Sequence, residues 1–302
     1  MIVLSTPGWE EYELLDTGDG KRFERFGKYR LVRPDPQIIW RPRLDPSEWQ
    51  HADAEFDLET KKWIIKTKIP DKWLIHYKDI GFYAKLSPFK HTGVFPEQTL
   101  QWEWISSVMM FDMMAKQAQS KNNFLQDSKN SLQILNLFGY TGIASLVCAV
   151  GGAVVTHVDA SRPTIGWARE NQAASGLQDK PIRWILDDAI KFVSREVKRG
   201  IKYDGIIMDP PVYGHGPTGE KWDFNESFPK LLSLCRLVLS QKPLFFLINA
   251  YAISSSALML KNVLEDYVSD LGGKIEFGEL ALEEKSAKRL LSTGIFARWS
   301  QK

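Results

Sequence analysis

From residue 133 to residue 271 the chain alternates between short apolar runs and longer amphipathic stretches. The apolar runs are too short for buried helices and too continuous for strands with one solvent-exposed face. Strands of this kind, separated by helices, form a parallel sheet that is covered on both sides. The predicted strands are Gln133–Phe138, Val154–Asp159, Ile182–Leu186, Tyr203–Met208 and Pro243–Asn249, and the predicted helices are Gly142–Val150, Ser161–Gly176, Asp188–Arg199, Phe224–Ser240 and Ser254–Leu271.

The alternation ends in two consecutive strand-like runs, Lys274–Leu282 and Leu290–Trp299. Only residues 283–289 separate them, which is too short a connection for a crossover helix. Two strands with so short a link pair in antiparallel fashion. The predicted α/β sheet therefore closes with a hairpin and an antiparallel last strand.

The first hundred residues have a different composition. Seven of the eleven tryptophans lie within residues 1–104, and no helical periodicity of useful length precedes residue 97. We predict a small, mostly antiparallel β domain over residues 1–98 and an α/β domain over residues 99–302 that begins with a bridging helix. The β-like runs are Tyr29–Val32, Gln37–Trp40, Trp63–Lys66, Trp73–Tyr77 and Gly81–Lys85, and the bridging helix is predicted over Glu97–Met114.

Charge and cysteine usage exclude several classes of protein. The 39 basic and 37 acidic residues leave a net charge of +2, which rules out a broad basic field for nucleic acid. The longest apolar run, Pro243–Ile253, is too short to span a bilayer, and the acidic N-terminus is unlike a signal peptide. The two cysteines, Cys148 and Cys235, are far apart. We expect a cytoplasmic protein with no disulfide, no metal and no membrane partner.

The first predicted strand runs into a glycine-containing turn, Gly139-Tyr140-Thr141-Gly142. Glycines at these positions allow a tight turn and close approach of the backbone to a ligand at a helix N-terminus. Asp159 ends the second strand, where a carboxylate can accept both hydroxyl groups of a ribose. Together these residues predict a cofactor that contains a nucleoside.

The turn lacks the three-glycine pattern that brings a pyrophosphate onto a helix N-terminus. S-adenosylmethionine (SAM), which has no phosphate, fits the looser turn better than a dinucleotide. Asp187 and Asp188 end the third strand. We expect one of them to cap the following helix and the other, Asp188, to accept the exocyclic amine of adenine.

The fourth strand runs into Asp209-Pro210-Pro211. Two successive prolines cannot continue a strand and hold the backbone before them in one extended conformation. The Asp209 carboxylate and the Pro210 carbonyl then form a rigid acceptor site. Such a site suits a planar NH₂ group whose nitrogen attacks a methyl sulfonium, a reaction that needs positioning and desolvation more than a strong base.

In this order and spacing, the sequences NLFGYTG, VDAS, WARENQ, LDDA and IIMDPPVYG resemble the class I SAM-dependent methyltransferases. Specifically, they are similar to the bacterial 23S rRNA large-subunit methyltransferase I and K group, over residues 90–300. The resemblance implies a Rossmann-like sheet of seven strands with a reversed last strand, and a segment Thr92–Gln98 that leads into the cofactor cleft. It also implies roles for the site residues: SAM would contact Gly139, Tyr140, Thr141, Gly142, Asp159, Asp187, Asp188 and Asp209, and the methyl acceptor would lie against Asp209, Pro210, Pro211 and Tyr213.

The chain departs from this group in three respects. The first hundred residues cannot hold both a PUA domain and the central β domain of the group. Val212-Tyr213 follows the two prolines, and Tyr213 either stacks on a flat acceptor ring or packs within the loop. Around the end of the fifth strand, Leu247–Tyr251 lacks the cysteine of relatives that methylate cytosine C5, a reaction that requires a cysteine nucleophile. Transfer to a nitrogen of RNA is therefore the favoured reaction.

Three alternatives stay open: methylation of a small molecule or a protein amide, a non-catalytic RNA-binding or assembly factor that keeps the fold, and a nicotinamide enzyme. The neutral charge modestly favours the first. If RNA is the substrate, its recognition requires a local patch, for which we consider the arginines and Lys28 between Arg22 and Arg43. The glycine-rich loop after Pro211, with His215 and Lys221, is interpreted as either a lid or an ordinary surface loop.

Overall fold

A computed structural model describes residues 1–88, 90–119 and 131–301. Its largest element is an eight-stranded sheet with the strand order β1-β16-β17-β15-β12-β9-β10-β11. The strands of this sheet are β1 (Ile2–Thr6), β9 (Gln133–Leu137), β10 (Val154–Asp159), β11 (Ile182–Leu186), β12 (Gly205–Met208), β15 (Phe245–Ala250), β16 (Lys274–Glu283) and β17 (Leu290–Ser300).

The helices connect these strands as predicted. Five parallel strands, β11, β10, β9, β12 and β15, alternate along the chain with helices. β17 pairs antiparallel with β15, and β16 lies beside β17. The predicted α/β fold with a reversed last strand is confirmed. The helices are α2 (Thr99–Gln119), which follows a 3₁₀ turn over Pro96–Gln98, α3 (Ile143–Val150), α4 (Arg162–Ala174), α5 (Ala189–Arg199), α6 (Phe224–Val238) and α7 (Ala257–Val268).

Successive residues of the central strands are buried on opposite faces of the sheet. In β12, Ile206 joins the hydrophobic core on one face and Ile207 joins the core on the other. Phe246 and Phe245 of β15 divide in the same way. Burial on both faces explains why these strands read as continuous apolar runs rather than as alternating patterns.

The eighth strand, β1, differs from the sequence prediction, which includes residues 1–6 in the small β domain. β1 lies at the sheet edge beside β16. Gly278 of β16 allows this approach, since a Cβ atom there would lie only 2.6 Å from the carbonyl carbon of Ile2.

The N-terminal part of the chain is mostly β structure, as predicted. A five-stranded sheet has the order β2-β3-β4-β5-β6, in which only the β4–β5 pair is parallel, and β7 and β8 form a separate antiparallel hairpin. The elements are β2 (Tyr12–Gly18), β3 (Lys21–Phe26), β4 (Tyr29–Pro34), the short helix α1 (Pro46–Gln50), β5 (Ala54–Asp57), β6 (Lys62–Ile65), β7 (Trp73–Tyr77) and β8 (Ile80–Ala84).

One predicted strand of this region is wrong. Residues Gln37–Trp40 form no strand, because a turn in which the Ile38 amide donates to the Asp35 carbonyl precedes them. The segment instead accepts hydrogen bonds from the backbone amides of Asp19 and Gly20. Pro34 and Pro36, which lack an amide N–H, favour this turn over a ladder.

The chain folds as two compact units. The sheet unit comprises residues 1–3, 100–279 and 294–302, and the β unit comprises residues 4–99 and 280–293. The division into domains at residues 98 and 99 stays a prediction. Within the described ranges, no helix is both long enough and apolar enough to cross a membrane.

Candidate cofactor and acceptor site

The turn between β9 and α3 has an unusual backbone. Phe138 (φ 55°), Tyr140 (φ 52°) and Gly142 (φ 84°) all adopt left-handed conformations within five residues. Each costs an L-residue other than glycine about 1–2 kcal/mol. Strained backbone of this kind concentrates where a ligand is bound. The turn is therefore a candidate cofactor loop on its geometry alone.

The glycines of this loop are required by their surroundings. A Cβ atom on Gly139 would lie 2.5 Å from Nδ1 of His157, and one on Gly142 would lie 3.0 Å from the ring of Trp184. The loop thus packs directly on side chains of β10 and β11. Any side chain at Gly139 would push the loop away from the sheet edge.

Asp159, at the end of β10, holds the same loop. Its carboxylate accepts hydrogen bonds from the amides of Tyr140 (2.9 Å) and Ser161 (2.8 Å). Burial raises the pKa of Asp159, and these two amides act in the opposite direction. An ionised carboxylate can accept about four hydrogen bonds. The remaining capacity suits the two hydroxyl groups of a ribose.

A buried polar network beneath the loop was not anticipated from the sequence. Nδ2 of Asn136 donates to the Ser145 hydroxyl (2.9 Å), which hydrogen-bonds Nδ1 of His157 (3.0 Å). These residues come from β9, α3 and β10 and are all buried. Burial lowers the pKa of His157 to about 3, so the imidazole is neutral. The sequence does not show this network, because it does not show that Gly139 lies so close to His157.

The structure assigns the helix cap after β11 to a different aspartate from the one that we expected. The Asp188 carboxylate caps α5 by accepting from the Lys191 amide (2.9 Å), whereas Asp187 accepts from the Asp188 amide (2.9 Å) and pairs with Arg195. The expectation that Asp187 caps the helix is therefore wrong, because the extended backbone at Asp188 places its carboxylate over the first turn of α5. Among the described residues, the second oxygen of Asp188 has no hydrogen-bond partner. Its assignment to adenine stays a prediction.

An open cleft of about 530 Å³ lies next to these carboxylates. Its lining includes Ala160, Leu186 and Asp187, which follow or end β10 and β11. A nucleoside requires an apolar surface for its base and polar groups for its ribose, and the lining residues include both kinds. The other lining residues are Arg162, Lys191, Arg195, Pro217, Thr218 and Glu220.

The Asp-Pro-Pro segment follows β12 at the same edge of the sheet. Asp209 is half-buried, Pro210 is buried and Pro211 is exposed. The indole of Trp222 donates to the Pro211 carbonyl (2.6 Å), and its ring meets that of Phe138 edge to face at 4.8 Å. Trp222 thereby links the predicted acceptor segment to the cofactor loop, a role that the sequence did not reveal.

The glycine-rich loop after Pro211 forms a small hairpin. Its strands are β13 (Tyr213–His215) and β14 (Lys221–Asp223). Tyr213 is 54% exposed, and its hydroxyl lies 3.2 Å from Nε2 of His215. Near the hairpin turn, Glu220 forms an ion pair with Lys191 of α5. The hairpin is therefore tied to the helix that lines the cleft.

Both cysteines are buried in helices. Cys148 lies in α3 and Cys235 in α6, and neither is in a disulfide. Burial raises the pKa of Cys148 to about 12 and raises that of Cys235 as well. Each thiol is therefore protonated near neutral pH and closed to solvent.

The structure thus brings the predicted residues of β9, β10, β11 and β12 to one edge of a single sheet. The solved structure of a SAM-dependent methyltransferase from Agrobacterium tumefaciens has a sequence that is 39% identical to this chain. It matches all of this chain and 94% of its own length with a TM-score of 0.90. The chain belongs to the SAM-dependent methyltransferases. The predicted family, cofactor class and enzyme class are confirmed.

More distant relatives agree with this methyltransferase fold. A methyltransferase from Streptococcus mutans aligns with a TM-score of 0.69 at 16% identity, which shows the fold alone. One curated relative is the ribosomal RNA large subunit methyltransferase K/L of Shewanella frigidimarina, which is 34% identical over 123 residues. Another is the ribosomal RNA large subunit methyltransferase I of Aeromonas salmonicida, which is 26% identical over 239 residues. These matches cover 40% and 72% of this chain. The chain spans only 17% of the first relative and 57% of the second. No family model matches the chain.

The arginine segment in the β unit of this methyltransferase is largely occupied by its own fold. Arg33 and Arg22 pair with the buried carboxylates of Glu24 and Asp35, and Arg25 pairs with Glu13 (2.9 Å). The proposed patch between Arg22 and Arg43 is therefore wrong as a continuous surface, because three of its cations stabilise the β unit internally. The remaining basic side chains of the segment are Lys28, Arg30, Arg41 and Arg43.

Proposed function

We propose that this methyltransferase transfers the methyl group of SAM to a nitrogen of RNA, and specifically of ribosomal RNA. The observation that carries the proposal is the meeting of the cofactor loop, Asp159 and the Asp-Pro-Pro segment at one sheet edge. Support for the substrate comes from the two curated relatives, whose names specify ribosomal RNA of the large subunit.

The cofactor supplies an electrophilic methyl group on a sulfonium. Gly139, Tyr140, Thr141 and Gly142 would form the backbone cradle for the cofactor, because a side chain at either glycine would push this loop off the side chains beneath it. Asp159 would accept the ribose hydroxyls while its bonds to two backbone amides keep its carboxylate in place. Asp187 and Asp188 would lie at the adenine end of the cleft, where Asp187 lines the wall.

On the acceptor side, the Asp209 carboxylate and the Pro210 carbonyl would accept hydrogen bonds from an NH₂ group. These bonds would orient the nitrogen lone pair toward the methyl carbon, and water exclusion would make the nitrogen a better nucleophile. Pro211 would be held in place by the indole of Trp222. Tyr213, which is exposed on the hairpin, would stack on the acceptor base.

The two cysteines support nitrogen as the acceptor. Methylation at cytosine C5 requires a thiolate that adds to the ring. Cys148 and Cys235 are both fully buried, and burial raises the pKa of each thiol, so neither is a candidate nucleophile. We expect the double variant Cys148→Ala/Cys235→Ala to retain methyl transfer; its loss in a folded, SAM-binding variant would indicate covalent C5 chemistry.

The proposal is tested with radiolabelled SAM and an extract of cells that lack this protein, which is separated afterwards into RNA, protein and small molecules. Label in a methylated nitrogen of a ribosomal nucleotide supports it. Label in the protein fraction or in small molecules, with none in RNA, would favour the alternative substrates. A folded protein that fails to bind S-adenosylhomocysteine (SAH) would contradict the cofactor site itself.

A further inference from the structure

Basic charge is distributed unevenly along the β unit. Residues 1–60 contain 13 acidic and eight basic residues, a net charge of −5. Residues 61–85 contain seven lysines and two aspartates, with no glutamate and no arginine, a net charge of +5. The overall charge of +2 conceals this separation.

Most of these lysines are on the surface. Lys61 and Lys62 lie at the turn into β6, Lys66 and Lys68 follow that strand, and all four side chains are exposed. Lys66 pairs with Glu55 at 3.3 Å. Among the described residues, Lys61, Lys62 and Lys68 have no acidic partner. Three positive charges are thus available to an external anion.

The backbone holds these lysines in a fixed row. β6 is the edge strand of the five-stranded sheet, paired with β5 alone. Asp57 fixes the turn before it by accepting from the Glu59 amide (3.0 Å) and the Thr60 hydroxyl (2.7 Å). The Trp63 indole donates to the Ser87 carbonyl (2.7 Å) and anchors the strand from the other side. Extended residues advance about 3.3 Å each, so the four residues of β6 span roughly 13 Å, and Lys61, Lys66 and Lys68 flank them.

Two apolar side chains interrupt the row. Ile64 is 51% and Ile65 is 56% exposed, although both belong to β6. A lysine on an edge strand prevents unwanted strand pairing. That function would account for Lys62, but not for the excess of lysine that continues past the strand to Lys68 and Lys72.

We propose that this lysine row, defined as Lys61, Lys62, Lys66 and Lys68, binds the phosphate backbone of the RNA substrate. The inference rests on the proposed function. RNA is favoured because three lysines of the row have no acidic partner among the described residues, and the repeated phosphates of a nucleic-acid backbone match repeated cations. Phosphate contacts by lysine position a nucleic acid without selecting its sequence. Selection of the nucleotide would then belong to the acceptor site.

The test compares two triple variants. Lys61→Gln/Lys62→Gln/Lys68→Gln removes the unpaired charges of the row, and Lys28→Gln/Arg41→Gln/Arg43→Gln removes three exposed charges from the arginine segment of the same unit. Binding of an unmodified large-subunit rRNA transcript is measured between about 50 and about 200 mM salt, a range over which phosphate contacts weaken strongly. The SAH affinity of each protein, measured by calorimetry, monitors the integrity of the sheet unit, and circular dichroism monitors the fold.

We expect the lysine variant to bind RNA at least tenfold more weakly at about 100 mM salt, with SAH affinity unchanged. The slope of log K against log salt should fall in magnitude by about 2, since each lost contact to single-stranded phosphate contributes about 0.7. The control variant should stay within twofold of the wild type. Equal RNA affinity for both variants and the wild type would overturn the lysine row while leaving the proposed function intact. A wild type that binds SAH but neither binds nor methylates RNA would overturn both.

Discussion

At the residue scale, the Asp159 carboxylate holds the Tyr140 amide and retains free acceptor capacity, which we propose serves the ribose of the cofactor. We expect Asp159→Ala to weaken SAH binding at least tenfold in calorimetry. Asp159→Asn, which keeps one acceptor oxygen, should lie between this variant and the wild type. Asp179→Ala, at an exposed position beyond α4, is the matched control. An unchanged affinity for Asp159→Ala would refute the assignment of this residue to the ribose.

Gly139 makes a second prediction at this scale. The alanine methyl of Gly139→Ala would collide with the His157 ring, so the cofactor loop must move outward. We expect a loss of about 1–3 kcal/mol in unfolding free energy, as for other overpacked sites, and weaker SAH binding. Gly166→Ala is the control, since nothing lies within 4 Å of its added carbon and alanine favours a helix. Full SAH affinity in Gly139→Ala would show that the loop does not need its close approach to β10.

His157 predicts a dependence of stability on pH. Burial lowers its pKa from 6.5 to about 3, so below pH 6.5 the unfolded chain binds a proton that the folded chain does not. The free energy of unfolding should therefore fall as pH drops from 6.5 toward 3, by at most about 1.4 kcal/mol per pH unit from this group. Denaturant unfolding of His157→Asn should show a shallower slope than the wild type between pH 6.5 and 4.5. His51→Asn, which alters an exposed histidine, should keep the wild-type slope; the same slope in His157→Asn would contradict the prediction.

Single residues could be predicted from the sequence where a local rule applies. Asp159 was predicted because it ends an apolar strand, and Gly139 because it starts a turn. His157 is inside the same strand and reads as an ordinary strand residue, so only its contact with the loop shows its importance. The cap on α5 was assigned to the wrong aspartate, because two adjacent carboxylates differ only in backbone conformation.

At the element scale, the central strands and helices were predicted within a few residues because apolar periodicity decides them. β10 and β11 match their predicted bounds, since β-branched and other apolar residues make up most of both strands. The hairpin of β13 and β14 was missed because its three-residue strands contain a single buried side chain, Trp222. β1 was missed because its partner, β16, lies at the other end of the sequence.

The hairpin makes a prediction at this scale. In Trp222→Phe the ring can still pack on Phe138, but the Pro211 carbonyl loses its indole donor. A lost hydrogen bond of about 1 kcal/mol corresponds to roughly a fivefold change. We expect kcat for methyl transfer to fall by at least this factor while SAH affinity changes less than twofold. Lys191→Gln, which removes the exposed ion pair with Glu220, should leave the unfolding free energy almost unchanged. A Trp222→Phe enzyme with wild-type kcat would show that the indole does not position the acceptor segment.

At the scale of the whole molecule, the sequence predicted the fold more completely than the substrate. The fold follows from local patterns, whereas RNA recognition depends on which cations the structure leaves unpaired. Arg22, Arg25 and Arg33 looked available in sequence and are paired in the β unit, while the lysines after residue 60 attracted no attention. Net charge summed over the chain concealed both facts.

The most direct test of the central claim is the transfer of a labelled methyl group from SAM to unmodified large-subunit ribosomal RNA. We predict that the wild-type protein labels this RNA at a base nitrogen, that the double cysteine variant does so as well, and that Asp159→Ala does so far more slowly at subsaturating SAM. Binding of SAM by the folded protein, with label found at cytosine C5 or only outside RNA, would contradict it.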